Sequence, residues 1–314
     1  MRPNKDGIVL SYVKDVSEYY NFSLMKVIDR GRSLDEKYYV ETISGEKMML
    51  RLSNIIDYEK KEKEFNIIKC ISKLGIKMSQ PIGFGICDRG KTVYQLLTWC
   101  EGQEAKKVLP TLSDSEQYKL GVSAGKALKK IHTIGNCSNS FCWSEIYREK
   151  VDCYIQNYFK CEKRYYDEYL ILDYIKNNLY LLNNRPICLL HGDFKVSNLI
   201  VSLDKEIYVI DFECNQTGDP YCDFVSVIYS AAVSPSFSVG NIHGYFEGEP
   251  PKNFWRLVLF YIAVSVLQGL PWALSFGKNE LDMEYKMYKN IIEWFDYMKN
   301  YVPTWYLSNS PVEV

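Results

Sequence analysis

Apolar residues near the start of the chain gather in short runs bounded by polar clusters. Residues 24–29, 37–42 and 47–52 read as strands, with a polar loop from Arg30 to Glu36 between the first two. Ser44-Gly45 turns the chain between the second and third. The spacing then changes. Within the charged segment 57–74, Phe65, Ile68, Ile71 and Leu74 recur at helical intervals, and Gly75 supplies a stop. An apolar strand over 92–97 follows, and residues 97–102 read as a hinge.

Beyond the hinge the pattern is mostly helical. Ser113-Asp114-Ser115-Glu116 forms a capping box. It opens a helix with Leu120, Ala124, Ala127, Leu128 and Ile131 on one face. A second helix is predicted over 165–182. Short strands are predicted over 187–190, 199–201 and 207–210. Two long helices, 254–267 and 281–299, close the pattern. The apolar stretch 257–267 is too short to span a bilayer and is followed by Gln268, Gly269 and Pro271, so it reads as a buried helix. The layout predicts an α+β chain: a small β-rich lobe over 1–100 and a larger, mainly helical lobe over 101–314.

Composition narrows the function classes. A formal net charge of -1 argues against a nucleic-acid partner held by overall positive charge. The start, Met1 to Asp6, is polar with no apolar segment behind it, so a cytoplasmic protein with no membrane partner is expected. Ten Cys are scattered without a C-x-x-C pair, and three His show no zinc-ligand spacing. They read as reduced thiols. The 26 Tyr suggest no particular chemistry.

The strongest signal is His191-Gly192-Asp193-Phe194-Lys195-Val196-Ser197-Asn198, then Asp211-Phe212-Glu213, each entered from an apolar strand. Phosphoryl transfer needs a carboxylate beside the attacking hydroxyl and hard oxygen ligands for a phosphate-bridging Mg²⁺. Asp193, Asn198 and Asp211 supply that set. A polar turn would explain one such motif alone, but not the joint match in the right strand context.

The pattern H-G-D-x-x-x-x-N, followed by a strand ending in Asp, resembles the aminoglycoside phosphotransferase family. Gly192 and Glu213 stand where protein kinases carry Arg and Gly, and no A-P-E motif is present. Gly218-Asp219-Pro220 with Asp223 also resembles the family's segment after the metal-binding Asp. The resemblance implies a bilobal protein-kinase-like fold and a kinase that uses ATP or GTP with Mg²⁺. It implies Asp193 as the carboxylate that accepts or orients the hydroxyl, and Asn198 and Asp211 as metal ligands. Lys195 is either a stabiliser of the transferred phosphoryl group or an ordinary exposed Lys. His191 is expected to brace the loop, and Asp219 and Asp223 to cap helices or tie down loops.

In the first lobe the resemblance implies a phosphate-gripping cation on the third strand, paired with a helix carboxylate. Arg51 with Glu64 fits, with Glu62 as the second choice; a surface Arg and a solvated helix are the plain alternative. The phosphate loop has one Gly, and Ser33 in it is either a phosphate donor or a turn residue. The hinge, Thr98 to Cys100, is expected to offer backbone groups to the purine. The first lobe carries 17 Lys+Arg against 13 Asp+Glu and the second 21 against 26, while residues 206–251 hold seven carboxylates and no Lys or Arg. That polarity suits a nucleotide in the first lobe and a cationic acceptor in the second. Glu213, Glu247 and Glu249 are the candidate ammonium partners, the last two being equally readable as a solvated acidic loop. An amino sugar is the first expectation, with antibiotic resistance as one consequence. A choline, amino-alcohol or other metabolite kinase, or a non-catalytic kinase-fold binding or coat protein, remains open beside it. Oligomeric state leaves no trace in the sequence.

Overall fold

The computed structural model describes residues 13–29, 35–135 and 142–309. The chain packs as two compact units. Among the described residues, the first comprises 13–29, 35–102, 200–204 and 208–213, and the second comprises the rest.

In the first unit, strands β1 (Phe22–Val27), β2 (Glu36–Thr42) and β3 (Lys47–Asn54) are followed by helix α1 (Tyr58–Ser72), β4 (Pro81–Cys87) and β5 (Thr92–Thr98). The strands form one antiparallel sheet in the order β1-β2-β3-β5-β4. Tyr38, Val40, Met48, Leu50, Leu52, Tyr94 and Leu96 face a core closed by Val13 and Val16. β3 is buried on both faces, because Arg51 and Ser53 turn the other way and are also shielded. In register, Arg51 lies between Lys37 of β2 and Gln95 of β5. Helix α1 buries Phe65, Ile68 and Ile71, the face expected from their spacing.

The second unit opens with a short strand β6 (Gln103–Glu104) and helix α2 (Ala105–Val108). Helix α3 (Asp114–Ile131) begins at the expected capping box, with the Ser113 and Glu116 bonds both present. Helices α4 (Trp143–Phe159) and α5 (Glu168–Asn178) lead to β7 (Cys188–Leu190). The hairpin β8 (Leu199–Val201) and β9 (Ile207–Val209) follows, then β10 (Gln216–Gly218), which pairs antiparallel with β7. The chain ends in α6 (Val227–Ala231), α7 (Pro235–Phe246), α8 (Phe254–Phe276), α9 (Lys278–Trp294) and α10 (Thr304–Asn309).

Helices α3 and α7 pack backbone to backbone. A Cβ at Gly121 or Gly125 would fall inside the carbonyl oxygens of Phe237 or Asn241, and one at Gly240 or Gly244 inside those of Tyr118 or Val122.

Three differences from the sequence reading have physical reasons. Helix α8 does not stop near Leu267 but continues through Pro271 to Phe276. Pro271 removes one backbone bond, but Leu270 and Ala273 on either side are fully buried, and that burial holds the turn together. The helix is long and apolar enough to cross a membrane, yet two thirds of its apolar window is buried within the protein. Second, much of hairpin β8–β9 and the segment to Glu213 pack with the first unit, so the split near residue 100 is not a single cut. The reason is the parallel bridge between Met78 and Val209, with the Val209 N–H donating to the Lys77 carbonyl at 2.9 Å. Third, many of the Tyr have a structural use. Tyr165 stacks on Tyr288 at 3.8 Å and on Tyr158 at 6.0 Å, with Tyr285 edge-on. The nine described Cys are free thiols.

Candidate active site

In the second unit, the loop from His191 to Asn198 leaves the buried strand β7 and turns at Gly192, where φ is +85°. A side chain there would be strained and would also run into the Cys214 carbonyl, so the position requires glycine. Asp223 holds this turn. Its Oδ2 accepts the His191 N–H at 2.8 Å and its Oδ1 the Gly192 N–H at 2.7 Å. His132 Nε2 lies 2.8 Å from the same carboxylate, and His132 Nδ1 lies 2.8 Å from the Tyr245 hydroxyl. Burial alone would raise the Asp223 carboxyl; the bond and charge of His132, with His191 and the Gly192 N–H, hold it below its ordinary value. Asp223 therefore ties down the loop, as expected. His132 and Tyr245, at the ends of α3 and α7, are its supports that sequence reading missed, because nothing local marks them. The His191 ring is fully buried, and its Nδ1 accepts the Asp193 N–H at 3.3 Å, a bracing role.

The loop presents Asp193 between two donors. Lys195 Nζ lies 2.8 Å from its Oδ1. The Asn198 amide donates to its Oδ2 at 2.8 Å and to its backbone carbonyl at 2.9 Å. Asp193 and Lys195 are each about 30% exposed as side chains, so a substrate can reach them. With its amide nitrogen engaged, Asn198 turns its oxygen elsewhere, where the Ser197 hydroxyl lies 3.5 Å from it. Asp219 is a buried anchor: Arg185 pairs with it, the Tyr261 hydroxyl donates at 2.8 Å and the Tyr221 N–H at 2.8 Å.

In the first unit, Arg51 Nη1 lies 3.7 Å from Glu64 Oε1, so the expected pair is adjacent, and both residues are buried. Glu62 is exposed on α1. Two residues that sequence reading missed complete the group. Asp35 accepts from Arg51 Nη2 at 2.9 Å, Lys61 Nζ at 2.5 Å and the Ser53 hydroxyl at 2.7 Å. Burial would raise the Asp35 carboxyl, but these bonds and charges bring it below its ordinary value. Burial, then the neighbouring Arg51 charge, lowers the Lys37 ammonium. Asp211 has φ +67°, and its Oδ1 is buried without a hydrogen-bond partner.

The remaining sequence candidates fall as follows. Ser33 lies outside the described residues. Thr98 ends β5, and its N–H and Oγ1 both bond Gln80. The Cys100 thiol is buried 3.3 Å from the Ser79 hydroxyl. Glu213 sits in the first unit beside Arg51 and 3.6 Å from Lys37. Glu247 pairs with Lys129 at 3.0 Å, and Glu249 accepts from the Tyr306 hydroxyl at 2.6 Å and lies 3.2 Å from His243. All three carboxylates thus already have partners. Glu284 on α9 differs. It is 9% exposed, and it accepts from the Tyr165 hydroxyl at 3.3 Å rather than from a cation. Burial raises its carboxyl above the ordinary value.

The family model described as the phosphotransferase enzyme family (APH) matches residues 25–255. No curated protein sequence matches. Among solved structures, the chain is similar to amicoumacin kinase hAmiN, at 14% identity over 90% of this chain and 92% of that one, with a TM-score of 0.61. It is similar to APH(2'')-IIa in its gentamicin complex, at 15% identity over 85% and 91% with a TM-score of 0.61. It is similar to a choline/ethanolamine kinase family protein from Mesorhizobium loti, at 14% identity over 88% and 90% with a TM-score of 0.61. These likenesses establish the kinase-like bilobal fold. The matched span runs from β1 into α8 and so takes in both the sheet that carries Arg51 and the loop that carries Asp193; on that ground the chain belongs to the phosphotransferase enzyme family and is a small-molecule kinase.

Proposed function

We propose that the protein transfers the γ-phosphoryl group of ATP or GTP, with Mg²⁺, to a hydroxyl of a small cationic acceptor in the cytoplasm. The observation that carries this reading is Asp193, a reachable carboxylate held between Lys195 and Asn198 on a loop clamped by Asp223. In the reaction the acceptor oxygen forms a bond to the γ-phosphorus as the bond to the β–γ bridging oxygen breaks. Asp193 orients the hydroxyl and takes its proton. Lys195, already beside that carboxylate, offsets charge on the transferred group.

Each unit offers one side-chain oxygen whose chemistry suits Mg²⁺. Asp211 carries a buried oxygen with no donor, and Asn198 keeps its amide oxygen turned away from Asp193. When bound, the ion would neutralise charge shared between phosphates. Mg²⁺ commonly takes one or two side-chain oxygens and completes its shell with phosphate and water. Arg51, braced by Glu64, would grip the phosphates, and the Thr98–Cys100 backbone would meet the purine.

A cationic acceptor is supported by the acidic balance of the second lobe. Glu213, Glu247 and Glu249 would each have to release a present partner to take an ammonium group. Glu284, shielded and without a cation within ion-pairing distance among the described residues, is the better candidate. Lys195 lies 5.7 Å from the Tyr229 ring, and Tyr165 donates to Glu284; all four residues belong to the second unit.

The test is nucleotide turnover with a panel of aminoglycosides, other amino sugars, choline, amino alcohols and neutral sugars. Asp193→Asn should lower turnover with the best acceptor by about 10²–10⁴-fold while nucleotide still binds. Near-normal turnover in that variant refutes the assignment. No turnover with any acceptor, despite nucleotide binding, favours a binding protein on the same fold. Antibiotic resistance follows only if an aminoglycoside is among the acceptors.

A further inference from the structure

A nearly dry patch of the first unit contains more positive groups than an Arg–Glu pair requires. Arg51 is 2% exposed and Lys61, one turn before Glu64 on α1, is 5% exposed. Buried Lys is rare, because burial strips water from the ammonium group. Lys61 is held in place: the buried Gln95 side chain donates to its carbonyl at 3.0 Å. Both cations converge on one oxygen, Asp35 Oδ2, at 2.9 and 2.5 Å, while the Ser53 hydroxyl holds the other. Glu64 lies behind, 3.7 Å from Arg51 and 3.4 Å from Lys61.

This donor set suits an oxyanion. A planar guanidinium fork, an ammonium and a hydroxyl are the groups that bind phosphate oxygens. The carboxylate does not use all of it, since Arg51 Nε is buried with no acceptor. An orphaned buried donor is costly, and a group with more oxygens than a carboxylate would relieve it. Charge points the same way. Arg51, Lys61 and Lys37 face Asp35, Glu64 and Glu213, and Asp211 acts on Lys37 as a fourth carboxylate. Adding a polyanion to a group in which carboxylates already outnumber cations is unfavourable unless one carboxylate leaves. Asp35 is the one to go. It stands outside the strand β2, whereas Glu64 is fixed on α1.

We propose that Lys61 is a second phosphate-binding cation beside Arg51, and that Asp35 occupies the phosphate seat in the free protein until a nucleoside di- or triphosphate displaces it. The proposal rests on Arg51 being the phosphate grip.

The test is ATP and adenosine binding, measured by calorimetry, for the wild-type protein and for Asp35→Asn, Lys61→Met, Lys61→Arg and Arg51→Ala. Asp35→Asn should tighten ATP about tenfold. Lys61→Met should weaken it at least about tenfold, and Lys61→Arg should recover most of that loss. Adenosine, which lacks phosphate, should bind all of them alike. ATP affinity unchanged or weakened in Asp35→Asn, or unchanged in Lys61→Met, overturns the proposal while leaving Arg51 in place. If Arg51→Ala also leaves ATP binding unchanged, the nucleotide reading of the first unit fails with it. Should a variant not fold, a structure of the wild-type protein with a non-hydrolysable ATP analogue decides. Asp35 must have left both cations to phosphate oxygens; Asp35 still seated on them refutes the displacement.

Discussion

Replacing Gly125 by Ala should destabilise the protein and slow it. In an ordinary helix the change would favour folding by about 1 kcal/mol, since Gly is the weaker helix former. Here the new methyl would fall inside the Asn241 carbonyl oxygen and stand 2.7 Å from the Tyr245 N–H nitrogen, where ordinary contact begins at 3.4 Å. Both neighbours are backbone on α7, so no side chain can swing aside. The helices must part by the best part of an ångström or more. Overpacking of this kind costs typically 1–3 kcal/mol, and the severity here places it at the upper end. After the propensity gain, a net loss of about 1–2 kcal/mol is expected. Gly121→Ala meets the same helix one turn away, so the two losses should not add: the first substitution opens the gap that the second needs. The same movement pulls Tyr245 from His132, now 2.8 Å apart, and so loosens the support of Asp223 behind the His191–Asn198 loop. Urea unfolding of both single variants and the double variant measures the stability, and turnover of the folded fraction measures the coupling. A Gly125→Ala protein more stable than wild type would refute the close-packed interface, since propensity would then have won.

Two further outcomes follow from buried carboxylates. Asp211→Asn keeps the shape and tolerates the positive φ, but removes a charge whose Oδ1 has no donor. The protein without nucleotide should hold or gain melting temperature, while turnover falls and the Mg²⁺ concentration for half-maximal activity rises; unchanged Mg²⁺ dependence would remove Asp211 from the metal site. Glu284 has its carboxyl raised by burial, so its ionisation opposes folding. Its contribution to stability is present below the ordinary glutamate range and is lost as pH rises through the folded value. Glu284→Gln should match wild type near pH 4 and be the more stable protein at neutral pH, with lower affinity for a cationic acceptor. Equal melting temperatures at both pH values would show that the carboxylate is solvated.

Much of this was legible in the chain because it is local. The Ser113 capping box, the strand spacing around Arg51 and the His191–Asn198 motif each lie within a few residues. The missed elements are those whose reason lies elsewhere. Strand β4 carries Pro81, Gly83 and Gly85 and drew no prediction; it is a strand because Gly85 admits the Tyr94 ring across the sheet. Helix α7 is rich in Gly and Ser and poor in helix formers, and exists because α3 lies against its backbone. Asp35 and Lys61 are ordinary charged residues in sequence, separated by 26 positions, and only the fold makes them partners. The present partners of the acceptor candidates were hidden for the same reason. Sequence nearness to Asp211 favoured Glu213, while the fold paired it with cations of the first unit.

The return of residues 200–204 and 208–213 to the first unit limits how this protein can be taken apart or exchanged. A fragment ending at Gly102 would lack the strand that pairs with Met78 and would leave the Lys77 carbonyl without its donor. It would also lose Asp211 and Glu213, and with them part of the charge balance around Lys37 and Arg51. The first unit is therefore not a contiguous module. Recombination with a relative at residue 102 alone would join a sheet from one parent to a hairpin from the other. A functional chimera needs a second and a third crossover around β8–β9, so the inheritable unit of this fold is the whole chain rather than either half.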